Sequence, residues 1–442
     1  MYPTILALFL LASSDSPADL AAQVVSGEPG AHEEAAGALE EIGRAALPAL
    51  RVAIGRADDL AASKRLADVI DLIERRRLRR ATPVEFEAKD VPVVEAVAEF
   101  GRKAGVRLSL DPSGSALWSS NRVNLAPSTL GFWEGLDRLG EAGGFRPDPS
   151  GYWSIGPATS EPVVVRLAKA EGPAMRTSYA GPYRIDLLSL NRHRRTTQTR
   201  PGTAPRIIDE FVATLQLFPE PGLEIDRNGS PRVDEAVDDK GTDLRPESTF
   251  DPSPQRANMF RQWRPEAPGA LAFRVPLAIP AALGGTLKQF RGDLPITALA
   301  RTGPLMTFKL DGAEGRPVSA GGVTLVVQRV DRVKERISAF QVLIRGEPIN
   351  QTPGISPGPR QLTLGRLRPP YHADDHFQVI DDQGRLHSLF SNVMNHRPDG
   401  SFEVRINLSS YTYLGPATTV RYCGLVGEAV EVPFAFEDVP LP

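Results

Sequence analysis

VEFEAKDVPVVEAVAEFGRKAGVRLSLDPSG, residues 84–114, sets the reading of the whole chain, together with RVNL (122–125), FWEGLDRLGEAGG (132–144) and YWSI (152–155). Val84 to Ala88 alternate apolar and polar, the period of a half-buried strand. Asp90-Val91-Pro92 then opens a helix, with Pro in the first turn where its missing N–H does no harm. Val93, Val97, Phe100 and Ala104 follow at helical spacing, and Gly105 ends the helix. Val106 to Leu110 alternate again, and Asp111-Pro112-Ser113-Gly114 is a turn. A third strand is expected at Arg122–Leu125. A second helix carries Phe132, Leu136 and Leu139 and stops at Gly143-Gly144, and a closing strand is expected at Tyr152–Ile155. The spacing predicts a small βαβ-βαβ unit over residues 82–157.

FEAKDVPVVEAVAEFGRKAGVRLSLDPS (86–113), VNLAPSTLGFWEGLDRLGEAGG (123–144) and YWSI (152–155) resemble the short N-terminal domain of secretins and TonB-dependent receptors. The resemblance covers about a sixth of the chain. It implies a module for protein–protein contact in the cell envelope. No secretin pore region and no receptor barrel follows it here, so a channel is not implied.

Before the module, Ile5–Ala12 (ILALFLLA) is an apolar run far below the ~18 residues that span a bilayer. Ala12-Ser13-Ser14 supplies the small residues of a signal-peptidase site, so residues 1–14 read as an export signal, although no Lys or Arg precedes the run. Residues 15–81 are rich in Ala, Leu, Glu and Arg at helical spacing. Within them ALEEIGRAALPAL (38–50) resembles a HEAT repeat, with Gly43 ending one helix and Pro48 starting the next. One helical hairpin resting on the next domain is expected rather than a solenoid, which needs several repeats. The basic run Arg75, Arg76, Arg77, Arg79 and Arg80 reads as a solvated helix C-terminus, where cations suit the dipole.

From Val163 onward the pattern is short alternating runs between Gly and Pro. Pro accounts for 40 of 442 residues, about 9% against a usual ~5%. Antiparallel β-sandwiches are therefore expected at 160–346 and 360–442, joined by a Pro-rich linker at 347–359. An internal echo supports two such units: Val237-Asp238-Asp239-Lys240-Gly241 and Ile380-Asp381-Asp382-Gln383-Gly384, each read as a hairpin turn. The fold class is thus α+β multidomain: N-terminal helices, a small α/β module, then antiparallel β-sandwich domains. The layout resembles large families of exported proteins from planctomycete-type bacteria.

Candidate chemistry is sparse. One cysteine, Cys423, excludes an internal disulfide, and a net charge of −3 gives no global field for nucleic acid. Gly354-Ile355-Ser356-Pro357-Gly358 matches G-x-S-x-G, but Pro357 lacks the N–H that an oxyanion hole needs. Asp226-Arg227-Asn228-Gly229-Ser230 begins like a calcium loop, but Pro231 and Val237 stand where Gly and Glu are required, and Asn228-Gly229 reads as a hairpin turn. Four histidines, His372, His376, His387 and His396, lie near Asp374 and Asp375. If the turn pairs Ile380 with Arg385, Gln378 opposes His387 and His376 lies diagonal to it. Zinc on His372, His376, His387 and Asp374 is the one metal arrangement this allows, and surface histidines are the simpler reading. Phe260 and Trp263, in a stretch without strand periodicity, are candidate binding residues. No catalytic residue and no cofactor is expected.

The sequence therefore predicts an exported periplasmic or extracellular protein that binds or braces an envelope protein or polysaccharide, without a membrane span and without nucleic acid. The alternative is a metal-dependent enzyme acting on carbohydrate or another polymer through His372–His396.

Overall fold

The computed structural model describes residues 16–26, 29–57, 60–111, 116–148, 164–171, 175–197, 206–246, 270–280, 282–320, 323–333, 336–345, 376–383, 387, 389–396, 401–408 and 415–442. The expected signal, the closing strand at 152–155, the linker at 347–359, the G-x-S-x-G motif, Phe260, Trp263, His372, Asp374 and Asp375 lie outside them. The architecture is α+β and multidomain, with helices first, then a small α/β module, then antiparallel sheets packed as sandwiches.

The helical segment is α1 (Pro17–Ser26), α2 (Pro29–Ile42), a 3-10 turn (Gly43–Ala46), α3 (Leu47–Arg56) and α4 (Leu60–Arg79). Gly43 takes the left-handed φ of +65° that ends α2, and Pro48 stands in the first turn of α3. The four helices bury a core of their own, including Leu20, Val24, Leu39, Leu50, Leu66, Ile70 and Ile73. This corrects the expected lone hairpin: a two-helix unit leaves one apolar stripe open, and α1 and α4 close it.

The module comprises β1 (Pro83–Pro92), α5 (Val93–Ala104), β2 (Arg107–Asp111), α6 (Ala116–Ser120), β3 (Arg122–Gly131), α7 (Phe132–Gly143), β4 (Phe145–Pro147) and β5 (Val164–Lys169). Both predicted stripes are buried, and Gly105 and Gly144 cap their helices at φ +65° and +77°. β1 pairs antiparallel with β3, while β2, β5 and β4 form a second small sheet in which β2 and β5 run parallel. Residues 164–169 were expected in the first sandwich. They belong instead to the module, where Val165 and Leu167 sit in its core.

The β unit begins with β6 (Arg176–Ala180), β7 (Tyr183–Thr197), β8 (Arg206–Pro219), β9 (Leu223–Arg227), β10 (Arg232–Asp238), β11 (Leu271–Leu277) and β12 (Thr286–Lys309). It continues with β13 (Pro317–Ala320), β14 (Val323–Val333), β15 (Arg336–Arg345), β16 (Phe377–Asp381), β17 (Leu389–His396), β18 (Phe402–Leu408) and β19 (Ala417–Pro440). Three sheets result, in the orders β11-β8-β7-β6, β10-β12-β19-β16 and β13-β14-β15-β18-β17. The middle sheet serves both sandwiches. Its β12 and β19 are each 24 residues long and pair antiparallel from Thr286↔Pro440 to Lys309↔Thr419.

One half of this ribbon faces the first core, with Phe290, Ile296, Phe434 and Phe436. The other half faces the second core, with Met306, Val420 and Tyr422 beside Phe377 and Val379. The expected boundary at 347–359 is therefore not a division between sandwiches. β15 pairs with β18 and β12 with β19, so each sandwich takes strands from both sides of that segment.

The internal echo extends to topology. The order β11-β8-β7-β6 repeats as β18-β15-β14-β13, and β10 on β12 repeats as β16 on β19. β9 and β10 lie one after the other along the same side of β12, so Asn228-Gly229 is a break in one edge and not a hairpin turn. Pro295 of β12 faces that break, and its carbonyl accepts the Asn228 N–H at 3.1 Å. Proline lacks an N–H and is tolerated in a strand where ladder pairing is interrupted.

Candidate functional site: the module cleft and its anchorage

β1 and β3 lose register between Phe86↔Ser128 and Ala88↔Leu125, which places one extra residue in β3 at Ala126-Pro127. Proline fits such a bulge because no ladder bond is asked of it. The bulge opens a cleft of about 160 Å³ between the β1–β3 pair and helices α5 and α7. Val84, Phe86, Phe100 and Leu130 form its floor, Ala126 and Pro127 one wall, and Arg138 its polar rim. Phe86 and Phe100 meet edge to face at 5.5 Å. A Cβ on Gly135 would stand 3.0 Å from the Phe100 ring, so glycine lets α7 approach. A cavity of about 150 Å³ holds one benzene ring, and ligand pockets for whole cofactors run from ~300 Å³ upward. The cleft has room for one apolar side chain.

The opposite side of the module is fixed to the first sandwich. Trp133 packs on Phe218 at 6.4 Å, and the Arg184 guanidinium lies 6.0 Å over the indole. Arg184 bonds Asp137 of α7 at 2.6 Å and Asp186 at 2.9 Å, and the Tyr179 hydroxyl donates to Asp137. Burial pushes the Asp137 carboxyl above the usual carboxylate range, and the Arg184 charge opposes that push.

The basic run at the end of α4 is solvated at Arg79 and Arg80, as expected, but its other arginines are partly buried and four of the five are ion-paired. Arg75 pairs with Asp71, Arg77 with the fully buried Glu74, and Arg79 with Glu428 on β19. Arg44 donates to the Ala104 carbonyl and Arg51 to the Thr302 carbonyl at 3.1 Å. Burial, reinforced by the Arg77 charge, pushes Arg44 down to about 10. Glu220 accepts the Thr82 N–H at 2.8 Å and the Thr82 hydroxyl at 2.6 Å. Burial raises its carboxyl above the usual range despite these bonds. The Tyr183 hydroxyl donates to the Leu78 carbonyl at 2.8 Å. The C-terminal end of α4 thereby meets bundle, module and β unit at one point.

The paired carboxylates are turn formers, and the first of each pair has a second task. Asp238 accepts N–H groups from Lys240 and Thr242 and, across the sheet, from Gly284, two residues before β12. Asp381 accepts from Gln383 and from Gly415, two residues before β19, each at 2.9 Å. Each Asp therefore fixes where a shared strand enters the sheet. The sequence shows the turn but gives no sign of these remote glycines.

The histidines separate. His376, just before β16, stacks on Tyr422 at 5.3 Å, and its Nδ1 lies 3.0 Å from the Cys423 carbonyl oxygen. His387 is buried, not on the surface, and its N–H donates to Val379, one residue from the expected register with Gln378. His396 ends β17, in another sheet. Among the described residues no group of three or more His, Cys, Asp or Glu is placed to hold a metal. No described helix is long and apolar enough to cross a membrane.

Comparison with protein-family models, curated proteins and solved structures returned no match.

Proposed function

We propose that this chain is an exported, non-enzymatic scaffold of the bacterial envelope that holds a partner protein through its α/β module. The carrying observation is the bulge-lined apolar cleft, open on one side of a module whose other side is fixed by Trp133, Asp137 and Arg184. The resemblance of 84–155 to envelope interaction domains supports the same reading, as does the signal-like start. A rigid support suits a brace: a partner gripped at the cleft is held at a set distance from the sandwiches.

Ala126 is exposed at the cleft wall and Arg138 at its rim. Ala126→Trp fills the cleft from outside the core, and Arg138→Glu reverses its rim charge. In affinity capture from the native envelope, one protein should be retained by the parent chain and lost with both variants, each unfolding at the parent temperature. Retention of the same proteins by all three would reject the cleft as the contact.

A further inference from the structure

The β7–β8 hairpin outruns its neighbours. β6 pairs with β7 only as far as Leu187, and β11 pairs with β8 only from Phe211. From Leu188 onward β7 is therefore an edge of the sheet, and its residues 193–197 with 206–210 of β8 project beyond β11 as a two-stranded arm. At ~3.3 Å per residue this arm reaches about 16 Å. Residues 188–210 carry Arg192, Arg194, Arg195, Arg200 and Arg206 against Asp209 and Glu210, and no Phe, Tyr or Trp. In a chain of net charge −3 this positive field is local.

At the base of the arm lies an open groove of about 300 Å³, lined by Met175, Leu187, Leu188, Leu190, Val439 and Leu441. Met175 and Leu188 are 38% and 42% exposed. Leu190, Arg192 and Arg194 alternate onto one face of β7, opposite Ala213, Phe211 and Asp209, and the exposed Arg192 pairs with Asp209 at 3.0 Å, leaving a net positive charge on that face. The apolar groove thus runs directly into the basic face.

We propose that this composite surface, the groove at Leu188 and Leu190 continued by Arg192 and Arg194, seats the protein on an anionic lipid bilayer. Arginines supply attraction to lipid phosphates and the exposed aliphatic side chains supply shallow insertion, the two signals that together make peripheral attachment stable. A hydrated polyanion would leave Met175 and Leu188 without a role. Single-stranded nucleic acid binds through exposed rings that this arm lacks. The inference rests on the envelope reading for its ligand, but it uses residues remote from the module cleft, so the two can fail separately.

The test is co-sedimentation of the full chain with vesicles of equal parts phosphatidylcholine and phosphatidylglycerol, against phosphatidylcholine alone, at low and high salt. Binding should require phosphatidylglycerol and weaken with salt. Arg192→Gln with Arg194→Gln should weaken it roughly 30-fold, ~1 kcal/mol per arginine being a factor of about 5 each. Leu188→Ser should weaken binding with its salt dependence unchanged. Thermal unfolding of each variant should match the parent. Absence of binding, or binding untouched by either variant, overturns the proposal. Tighter binding to heparin or duplex DNA than to vesicles, indifferent to Leu188→Ser, overturns it in favour of a soluble polyanion.

Discussion

Neutralising Glu74 should loosen the whole joint. Its side chain is fully buried and paired with Arg77, itself 13% exposed, while Arg44 and Arg51 also feel its charge. Glu74→Gln keeps the shape but removes the negative charge that all three guanidinium groups feel, leaving Glu220 as a buried counter-charge for Arg44 and Arg77. Breaking one side of a buried pair costs about 3–5 kcal/mol. The pair is not perfectly satisfied, since Glu74 Oε1 and Arg77 Nε have no hydrogen-bond partner among the described residues. Replacing both groups removes those liabilities, so Glu74→Met with Arg77→Met should fall within ~1–2 kcal/mol of the parent. A coupling of at least ~2 kcal/mol should emerge from the double-mutant cycle. Urea unfolding supplies the energies, and hydrogen exchange along α4 shows where the structure opens, which matters in a chain this large. A Glu74→Gln variant within ~1 kcal/mol of the parent, or strictly additive singles, would refute the argument.

Phe290 is fully buried against Phe434 at 4.9 Å, and Phe290→Ala should cost about 3–5 kcal/mol in denaturant unfolding. A fragment of residues 357–442 should show no cooperative transition by circular dichroism, because β16 and β18 would lack the sheets completed by β12 and β15; a sharp transition would contradict the shared cores. Gly181 adopts φ +55°, and a Cβ there would stand 2.5 Å from the Arg79 carbonyl, so Gly181→Ala should lower stability by more than about 1 kcal/mol. Burial raises the Asp238 carboxyl, but the N–H groups of Thr242, Gly284 and Lys240 together hold it below its ordinary 3.8. A depressed folded value means its contribution is present above pH ~4 and lost as pH falls through that value. Asp238→Asn should therefore flatten the acid limb of melting temperature against pH, and an unchanged limb would remove Asp238 from the account.

What could be read from the chain was local. Val93, Val97, Phe100 and Ala104 fall on one helix face because a 3.6-residue period is set by neighbours in sequence. Gly43, Gly105 and Gly241 act where positive φ is needed within a few residues. Readings failed where the deciding partner is remote. Val164–Lys169 looks like any edge strand, and its place in the module is set by Arg107–Asp111, far back in the chain. Gly292, Pro295, Gly303 and Pro304 are of the residue types that weaken or interrupt strands, yet β12 runs through them. Its register slips between Arg301 and Gly303 and again between Pro304 and Met306, and Pro295 faces the gap between β9 and β10. The cleft arises from one residue of mismatch between two strands, which no period reveals. Of the α4 arginines, Arg75 and Arg77 pair within the helix, with Asp71 and Glu74, while the groups that receive Arg76 and Arg79, Glu40 and Glu428, come from remote elements that the local pattern does not show.

The shared ribbon also sets the order in which the protein can finish folding during synthesis. β12 closes the first sandwich only with β19 beside it, and β19 begins 108 residues after β12 ends and runs to Pro440. At ~5–20 residues per second, the ribosome needs roughly 7–26 s to go from the end of β12 to the end of β19. Throughout that interval Phe290 and Ile296 lack the partners Phe434 and Val430 opposite or beside them. Neither sandwich can close before β19 is made, so the nascent chain stays open along β12 until then, a condition that a chaperone recognises as exposed apolar strand.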